Sequence, residues 1–470
     1  MKILLVFPPD AHMIKTNVPE FVDKGIGIYP PLGLMYIASS IMHWSDWEVE
    51  LLDCKAENMT YPNLKYEIEK RNPDVVGIET LTFTLIDAVM TAKIVKEIDP
   101  NIHVVLGGPH VNIYPKETLK IPYVDYIILG EGEYVICEFL KAVGSRNDFE
   151  EIKGVGYKRN GKVFINPKQE FIENLDDLPH PDRKLLNIER YFSLVSEHSP
   201  ITTMITSRGC PYKCLYCDRP HLGKRFRARS PKSVVREMKE CKEMGIKEIL
   251  FYDDTFTINR KRVQEICDLI IKQGINISWD VRAHVDTVDE FTLSKMADAG
   301  CERIHFGVES GTPEIQKVLR KNLDLNRVKN IFSEARKVGL KTLAYFMIGN
   351  PTETKEQIEK TIDYMLELNA DYAHISIATP FPGTEMYYLG LEQGLYKEDY
   401  WEEFAQNPRE NFSPELWTEN LSEKELYKAI KRAYKKFYLR PSYIVKNFLH
   451  TKSIKSLKEK ASSGIKMLFS

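Results

Sequence analysis

The chain has 470 residues, 43% hydrophobic and 28% charged, with 65 Lys+Arg against 67 Asp+Glu for a formal net charge of −2. That length suits about three domains, and the balance excludes a mainly disordered chain. Near-neutrality argues against a whole-chain nucleic-acid binder, and the lack of an 18-residue apolar run predicts no membrane-spanning helix. The opening Met1–Asp10 meets Pro8-Pro9 too soon for a secretion signal and reads as a first buried strand, which makes the cytosol the expected location.

Residues 1–145 alternate short apolar runs with helical patterns. Strands are predicted at Lys2–Phe7, Val49–Leu52, Val75–Thr80, Val104–Gly107 and Tyr126–Leu129, with helices at Leu32–His43, Leu64–Arg71, Leu85–Glu97 and Glu133–Gly144. Continuous Val/Ile/Leu runs suit strands covered on both faces, so the alternation predicts a doubly wound parallel sheet. Such sheets bind ligands beyond the carboxyl ends of their strands. Those ends carry Pro8-Pro9, Asp53, Thr80-Leu81-Thr82, Gly107-Gly108-Pro109-His110 and Gly130-Glu131-Gly132-Glu133, which are small and polar as a ligand edge requires.

Residues 146–198 read as a connector, with a hairpin over Gly154–Asn166 turning at Asn160-Gly161 and a proline-stiffened crossing at Leu178–Arg183. A second α/β series fills residues 199–390. Its strands are predicted at Thr202–Thr206, Glu248–Tyr252, Ser278–Arg282, Arg303–Gly307, Lys341–Met347 and Tyr372–Ile377, each but the last followed by a helical pattern. An eightfold barrel needs two more βα steps, so a partial, TIM-like (βα)6 barrel is predicted. Residues 391–470 read as helical, aromatic and then basic. From Lys431 onward eleven Lys/Arg stand against Glu459 alone, a net +10, interleaved with Phe437, Tyr438, Tyr443 and Phe448. Such a stretch suits either a solvated helical face or contact with an anionic membrane or a greasy substrate.

Eight cysteines are too few for a disulfide scaffold in a chain this long. Cys54, Cys137, Cys241, Cys267 and Cys301 are scattered and read as small core residues. Cys210, Cys214 and Cys217 fall in one C-x3-C-x2-C loop, a spacing with which three thiolates can wrap an iron–sulfur cluster. Three ligands on a four-iron cluster leave one iron open. Structural zinc is the competing metal; it wants four ligands, with His221 as the candidate fourth.

The Ser207–Cys217 loop, with Tyr216 just before the third cysteine, resembles the signature of the radical S-adenosylmethionine (SAM) enzymes. Phe251-Tyr252-Asp253-Asp254-Thr255-Phe256 resembles that family's second-strand motif, and Gly307-Val308-Glu309-Ser310-Gly311 its fourth-strand motif. Phe346–Thr354 and Thr379–Thr384 resemble its later strand ends. The resemblance implies SAM chelating the open iron of a [4Fe–4S] cluster. Asp253 or Asp254 would then accept from its ammonium, Arg282 pair with its carboxylate, and Tyr216, Glu309 and Ser310 complete its site.

The N-terminal strand ends, with Tyr29-Pro30-Pro31-Leu32-Gly33-Leu34, are similar to the cobalamin-binding domains fused to such barrels. This implies a corrin between the two domains, with contacts from Pro31, Leu32, Thr80, Leu81, Gly107, Gly108, His110, Gly130 and Glu131. Many of these domains carry D-x-H-x-x-G after the second strand. This chain has Asp53-Cys54-Lys55-Ala56-Glu57-Asn58, which implies cobalt without a protein histidine below it.

The implied activity is a cobalamin-dependent radical SAM reaction that methylates an unactivated carbon through a 5′-deoxyadenosyl radical and methylcobalamin. It would act on a small-molecule or lipid-like substrate, with an external electron donor such as flavodoxin or ferredoxin, no nucleic acid, and peripheral membrane contact through the basic tail. Non-methylating cyclisation or oxidation is the rival within the class. A cobalamin or cluster sensor without turnover is the rival outside it.

Overall fold

The computed structural model describes residues 1–15, 27–145, 148–193, 195–218 and 223–450. His221 and the basic stretch 451–470 lie outside the described residues.

The first sheet has seven strands in the order Glu48–Asp53, Lys2–Phe7, Val75–Glu79, His103–Gly107, Tyr126–Ile128, Val155–Arg159, Lys162–Ile165. The first five are parallel, and the last two form an antiparallel hairpin on the Tyr126–Ile128 edge. Residues 155–165, expected within a connector, are thus part of this sheet. The hairpin supplies partners for backbone groups that an edge strand would leave open. One face packs on helices Leu32–Trp44 and Gly132–Ser145 through Leu5, Met35, Ile41, Ile136 and Phe139. The other packs on Tyr61–Arg71 and Leu85–Ile98 through Leu4, Val6, Leu64, Ile68 and Val95. Register pairs Phe7 with Asp53 and Glu79 with Gly107, so the carboxyl ends finish at one level.

The second sheet is parallel and strictly sequential: Ile201–Met204, Glu248–Phe251, Ser278–Ala283, Cys301–Glu309, Lys341–Ile348, Tyr372–Ile377. Ser230, Asn259, Asp289, Asp324 and Thr354 cap the helices that pack outside it, each side chain accepting a backbone N–H of the first turn. Each such cap stabilises its helix by about 1 kcal/mol. Trp279, Val281, Ile304, Phe306 and Phe332 build the core between strands and helices. The alternate strand positions, Asp280, Arg282, Arg303, His305 and Tyr345, belong to a polar network inside the partial barrel, in which Arg303 donates to Glu248 (2.8 Å) and Asp280 (2.5 Å).

The open flank at Tyr372–Ile377 is covered by helix Glu423–Tyr438. Tyr434 Oη bonds the N–H and C=O of Ile375, and Tyr438 Oη does the same for Ala373, at 2.8–3.1 Å. Phe437 is fully buried with them. The aromatic residues at 434–438 therefore face the barrel core, and the membrane-facing role expected of the tail receives nothing from them. Among the described residues no helix is long and apolar enough to cross a membrane.

The first domain meets the barrel across a buried polar contact in which Glu131 takes Arg208 at 2.9 Å and Arg227 at 2.8 and 3.0 Å. The connector is tied to both, Arg183 donating to Glu237 of the barrel at 2.7 Å and Tyr191 to Asp53 of the first sheet at 2.9 Å. Buried ion pairs add little net stability, but removing one partner costs about 3–5 kcal/mol. The seam is therefore fixed in register.

Candidate active site

Cys210, Cys214 and Cys217 line one cavity of about 230 Å³ at the carboxyl end of the second sheet, together with Tyr216, Asp254, Arg282, His284, Lys321 and Tyr345. Their loop is set by the antiparallel pairing of Ser207–Arg208 with Arg227–Ala228, and by bonds from Cys210 N to Gly223 O (3.3 Å) and Leu215 N to Leu319 O (3.0 Å). None of the three is in a disulfide, and they grade from buried Cys214 to exposed Cys217. Tyr216 donates to Glu309 Oε1 at 2.8 Å, and Lys321 Nζ reaches the same oxygen at 3.4 Å. Glu309, at φ +68°, thus anchors the cysteine loop. Tyr212 stacks on His284 with ring centroids 3.9 Å apart. Burial pushes the His284 ring down to about 3, and its buried Nε2 has no partner. Three thiols, a carboxylate, a guanidinium and an unsatisfied imidazole around one open cavity fit a cluster with an amino-acid chelator on its open iron.

The structure separates residues that the sequence lists side by side. Asp254 lines the cavity, whereas Asp253 is fully buried and accepts from Thr206 N, Thr206 Oγ1 and Ser207 Oγ. Burial pushes the Asp253 carboxyl up, and Arg262 works against that. Asp253 is the anchor of the strand end that carries the loop. Ser310, also fully buried, bonds Thr312 and Thr361 and takes no part in the lining. The other five cysteines do not line this cavity either. Burial pushes the thiols of Cys241 and Cys267 up to about 12 and those of Cys54 and Cys301 well above the ordinary range.

A second cavity, of about 370 Å³, opens on the domain seam. It runs between Leu5, Gly77, Val105 and Ile128 of the first sheet and Leu34, Ile37 and Ile136 of the two covering helices. Leu32, Glu79, Gly107, Gly108, Gly130 and Glu131 form its lip, and Ile205, Arg208 and Tyr252 close it from the barrel side. A Cβ on Gly107 would meet nothing within 4 Å, so that lip is open. A Cβ on Gly108, at φ +114°, would stand 2.9 Å from Thr80 O, so glycine is required there. Glu79 Oε2 is buried with no partner, and burial, reinforced by Asp53, pushes the carboxyl up to about 7. A deep apolar slot with an open glycine lip and an unsatisfied carboxyl fits the nucleotide tail of a corrinoid.

Of the residues expected around the corrin, Leu32, Gly107, Gly108, Gly130 and Glu131 border this cavity, while Pro31, Thr80, Leu81 and His110 do not. His110 is fully buried, with Nδ1 3.1 Å from Thr82 Oγ1, and burial pushes its ring down to about 3. It packs inside the first domain because the helical turn Pro109–Ile113 directs it inward. Lys55 pairs with Asp10 at 3.1 Å and is not part of the lining.

The residues that sequence reasoning missed are Glu79, Tyr252, His284, His305, Lys321 and Tyr345. For His305 and Tyr345 the signal was polar alternation along otherwise apolar strands, as in Ser278-Trp279-Asp280-Val281-Arg282, which marks a polar barrel interior. Tyr252 borders the seam cavity, and Arg282, whose guanidinium carbon stands 4.2 Å from the Tyr252 ring centroid, borders the cysteine cavity.

Comparison with known proteins identifies both domains. Residues 204–365 match the radical SAM superfamily, and residues 22–140 match the B12 binding domain. The chain is 36% identical over 450 residues, 95% of its length and 94% of the relative's, to an uncharacterized methyltransferase of Pyrococcus horikoshii. It is 28% identical over 369 residues, 77% of its length and 66% of the relative's, to an anaerobic magnesium-protoporphyrin IX monomethyl ester cyclase of Rubrivivax gelatinosus. It shares its fold with the cobalamin-dependent S-adenosylmethionine radical enzyme OxsB, at TM-score 0.75 and 17% identity over 98% of this chain and 70% of that one. The chain belongs to the cobalamin-dependent radical SAM methyltransferase family, and its cofactors are a [4Fe–4S] cluster, SAM and cobalamin.

Proposed function

We propose that this enzyme methylates an unactivated carbon of a small molecule at the seam between its two domains. The observation that carries the reading is that the cysteine cavity and the apolar slot of the first domain are lined by touching residues of one barrel, Arg282 and Tyr252. When bound, the cofactors supply a 5′-deoxyadenosyl radical that removes a substrate hydrogen and a cobalt-borne methyl group that replaces it. The chain's part is to hold and to shield. Cys210, Cys214 and Cys217 ligate the cluster; Asp254 accepts from the SAM ammonium and Arg282 pairs with its carboxylate. Glu309 holds Tyr216, and so the cysteine loop, in place. The slot between the first sheet and helices Leu32–Trp44 and Gly132–Ser145 takes the nucleotide tail, with no protein histidine at the cobalt. A small low-potential protein of the flavodoxin or ferredoxin kind delivers the electron.

The test is anaerobic turnover with methyl-labelled SAM over a metabolite pool, scored by mass. A labelled product one methylene heavier supports carbon methylation. Formation of 5′-deoxyadenosine with an unlabelled, altered product supports the cyclisation or oxidation reading, which the cyclase relative favours. Absence of both leaves a sensor.

A further inference from the structure

The two cavities share no lining residue, and Tyr252 of one touches Arg282 of the other. Tyr252 follows strand Glu248–Phe251, with its backbone N–H held by Met204 O at 2.8 Å. Tyr252 borders the seam cavity and not the cysteine cavity; Arg282 borders the cysteine cavity and not the seam cavity. The two meet in a ring-on-guanidinium stack. Tyr29 flanks the ring, with centroids 5.9 Å apart. Arg282 lies over the Tyr252 ring and faces Tyr345 and the buried charge of Asp280. Asp280 is in turn tied to Arg303 and His305, so the guanidinium is braced from the barrel interior. A desolvated cation over an aromatic face holds both partners in one geometry.

SAM has two fates in an enzyme of this kind, and they need it in different places. In reductive cleavage one electron from the reduced cluster enters the sulfonium and the S–C5′ bond breaks, giving methionine and the 5′-deoxyadenosyl radical. In methyl donation the sulfonium methyl passes to the electron pair of cob(I)alamin, the C–S pair stays on sulfur, and S-adenosylhomocysteine leaves. The first takes place beside the cysteines, and the second requires the sulfonium to face the seam. The Tyr252–Arg282 stack stands between these positions.

We infer that Tyr252 is a positioning residue that partitions SAM between reductive cleavage and methyl donation to cobalt, by narrowing the passage from the cysteine chamber to the corrin chamber. The inference rests on the proposed assignment of the two cavities. Its weight lies on the ring: the aromatic side chain narrows the passage between the chambers, and a small side chain widens it. The phenol hydroxyl is secondary.

The experiment uses reconstituted, cobalamin-loaded full-length protein without substrate, reduced by titanium(III) citrate, with S-adenosylhomocysteine and 5′-deoxyadenosine measured together. Tyr252→Ala raises the ratio of S-adenosylhomocysteine to 5′-deoxyadenosine about tenfold, and Tyr252→Phe leaves it within about twofold of wild type. Independently of turnover, the visible spectrum and paramagnetic resonance of bound cob(II)alamin change in Tyr252→Ala, because the ring beside the corrin is gone. The SAM-induced change in the reduced cluster's resonance stays as in wild type. If the alanine variant does not fold, Tyr252→Leu, which keeps bulk but no aromatic face, is read in its place against the same ratio. An unchanged ratio in a variant that holds cobalamin overturns the inference alone. Loss of cobalamin from every variant also overturns it, since Tyr252 would then hold the corrin and not narrow the passage. Wild-type protein that forms neither product overturns the assignment of the cavities, and the inference with it.

Discussion

Gly209 stands between the short pairing of Ser207–Arg208 with Arg227–Ala228 and the first cysteine of the loop, at φ +84°. Alanine there meets two costs. The left-handed backbone disfavours any L side chain by about 1–2 kcal/mol. The added Cβ would also overlap the carbonyl oxygen of Arg225 and come within 3.0 Å of Gly223 O, both backbone atoms that cannot swing aside. Relief requires the strands to part, and the Cys210 N to Gly223 O bond goes with them, about 1 kcal/mol more. The sum is about 3 kcal/mol, concentrated on the cysteine loop. Metal–ligand distances tolerate only about 0.2 Å, so a backbone shift at Cys210 unseats the cluster before it unfolds the barrel. Gly209→Ala is therefore expected to keep its overall fold by circular dichroism. After anaerobic reconstitution it should hold less than about one-tenth of wild-type iron and sulfide, as a penalty of more than about 1.4 kcal/mol at the loop implies. A full four-iron complement at wild-type denaturant midpoint would show that the loop yields where the geometry says it cannot.

Three further outcomes follow from the same geometry. Gly107→Leu fills the open lip without a clash in the fold, so thermal stability is kept while cobalamin affinity falls by about tenfold or more, as overpacking by about 1–3 kcal/mol implies; equilibrium dialysis that finds wild-type affinity would refute it. Glu79 titrates in the unfolded chain near 4.5 and in the fold at about 7, so folding loses stability as pH rises through that window, to a limit of about 3 kcal/mol. Glu79→Gln removes that slope, and urea midpoints at pH 5 and pH 8 that move in parallel for both proteins would contradict it. Replacing Cys210, Cys214 and Cys217 together with alanine abolishes cluster absorbance, whereas Cys241→Ala or Cys267→Ala leaves it intact; iron analysis decides both.

What the sequence showed, it showed through repetition and through chemistry that tolerates no substitute. Apolar runs such as Val75–Ile78 can only be strands covered on two faces, and the C-x3-C-x2-C spacing admits few ligand readings. Adjacent residues with opposite fates were not legible. Asp253 and Asp254 are identical in composition, and only the turn of the chain after Phe251 decides which one binds Thr206 and Ser207 and which borders the cavity. His110 sits in a glycine-rich strand end, where loop chemistry suggests exposure, yet one helical turn buries it. Phe437 and Tyr438 lie among lysines, which suited a solvated helical face or an interface with lipid. The bare flank of an incomplete barrel, invisible in a linear pattern, took them instead.

That flank sets the minimal working unit of the molecule. Every residue bordering either cavity lies before residue 346, so the ligand-bearing chemistry ends well before the polypeptide does. A chain cut before Glu423 would nonetheless present Ala373 and Ile375 with unanswered N–H and C=O groups along a bare strand, a template on which a neighbouring molecule can pair. Two tyrosine hydroxyls, far along the sequence from any cofactor, thereby keep the enzyme from joining itself edge to edge.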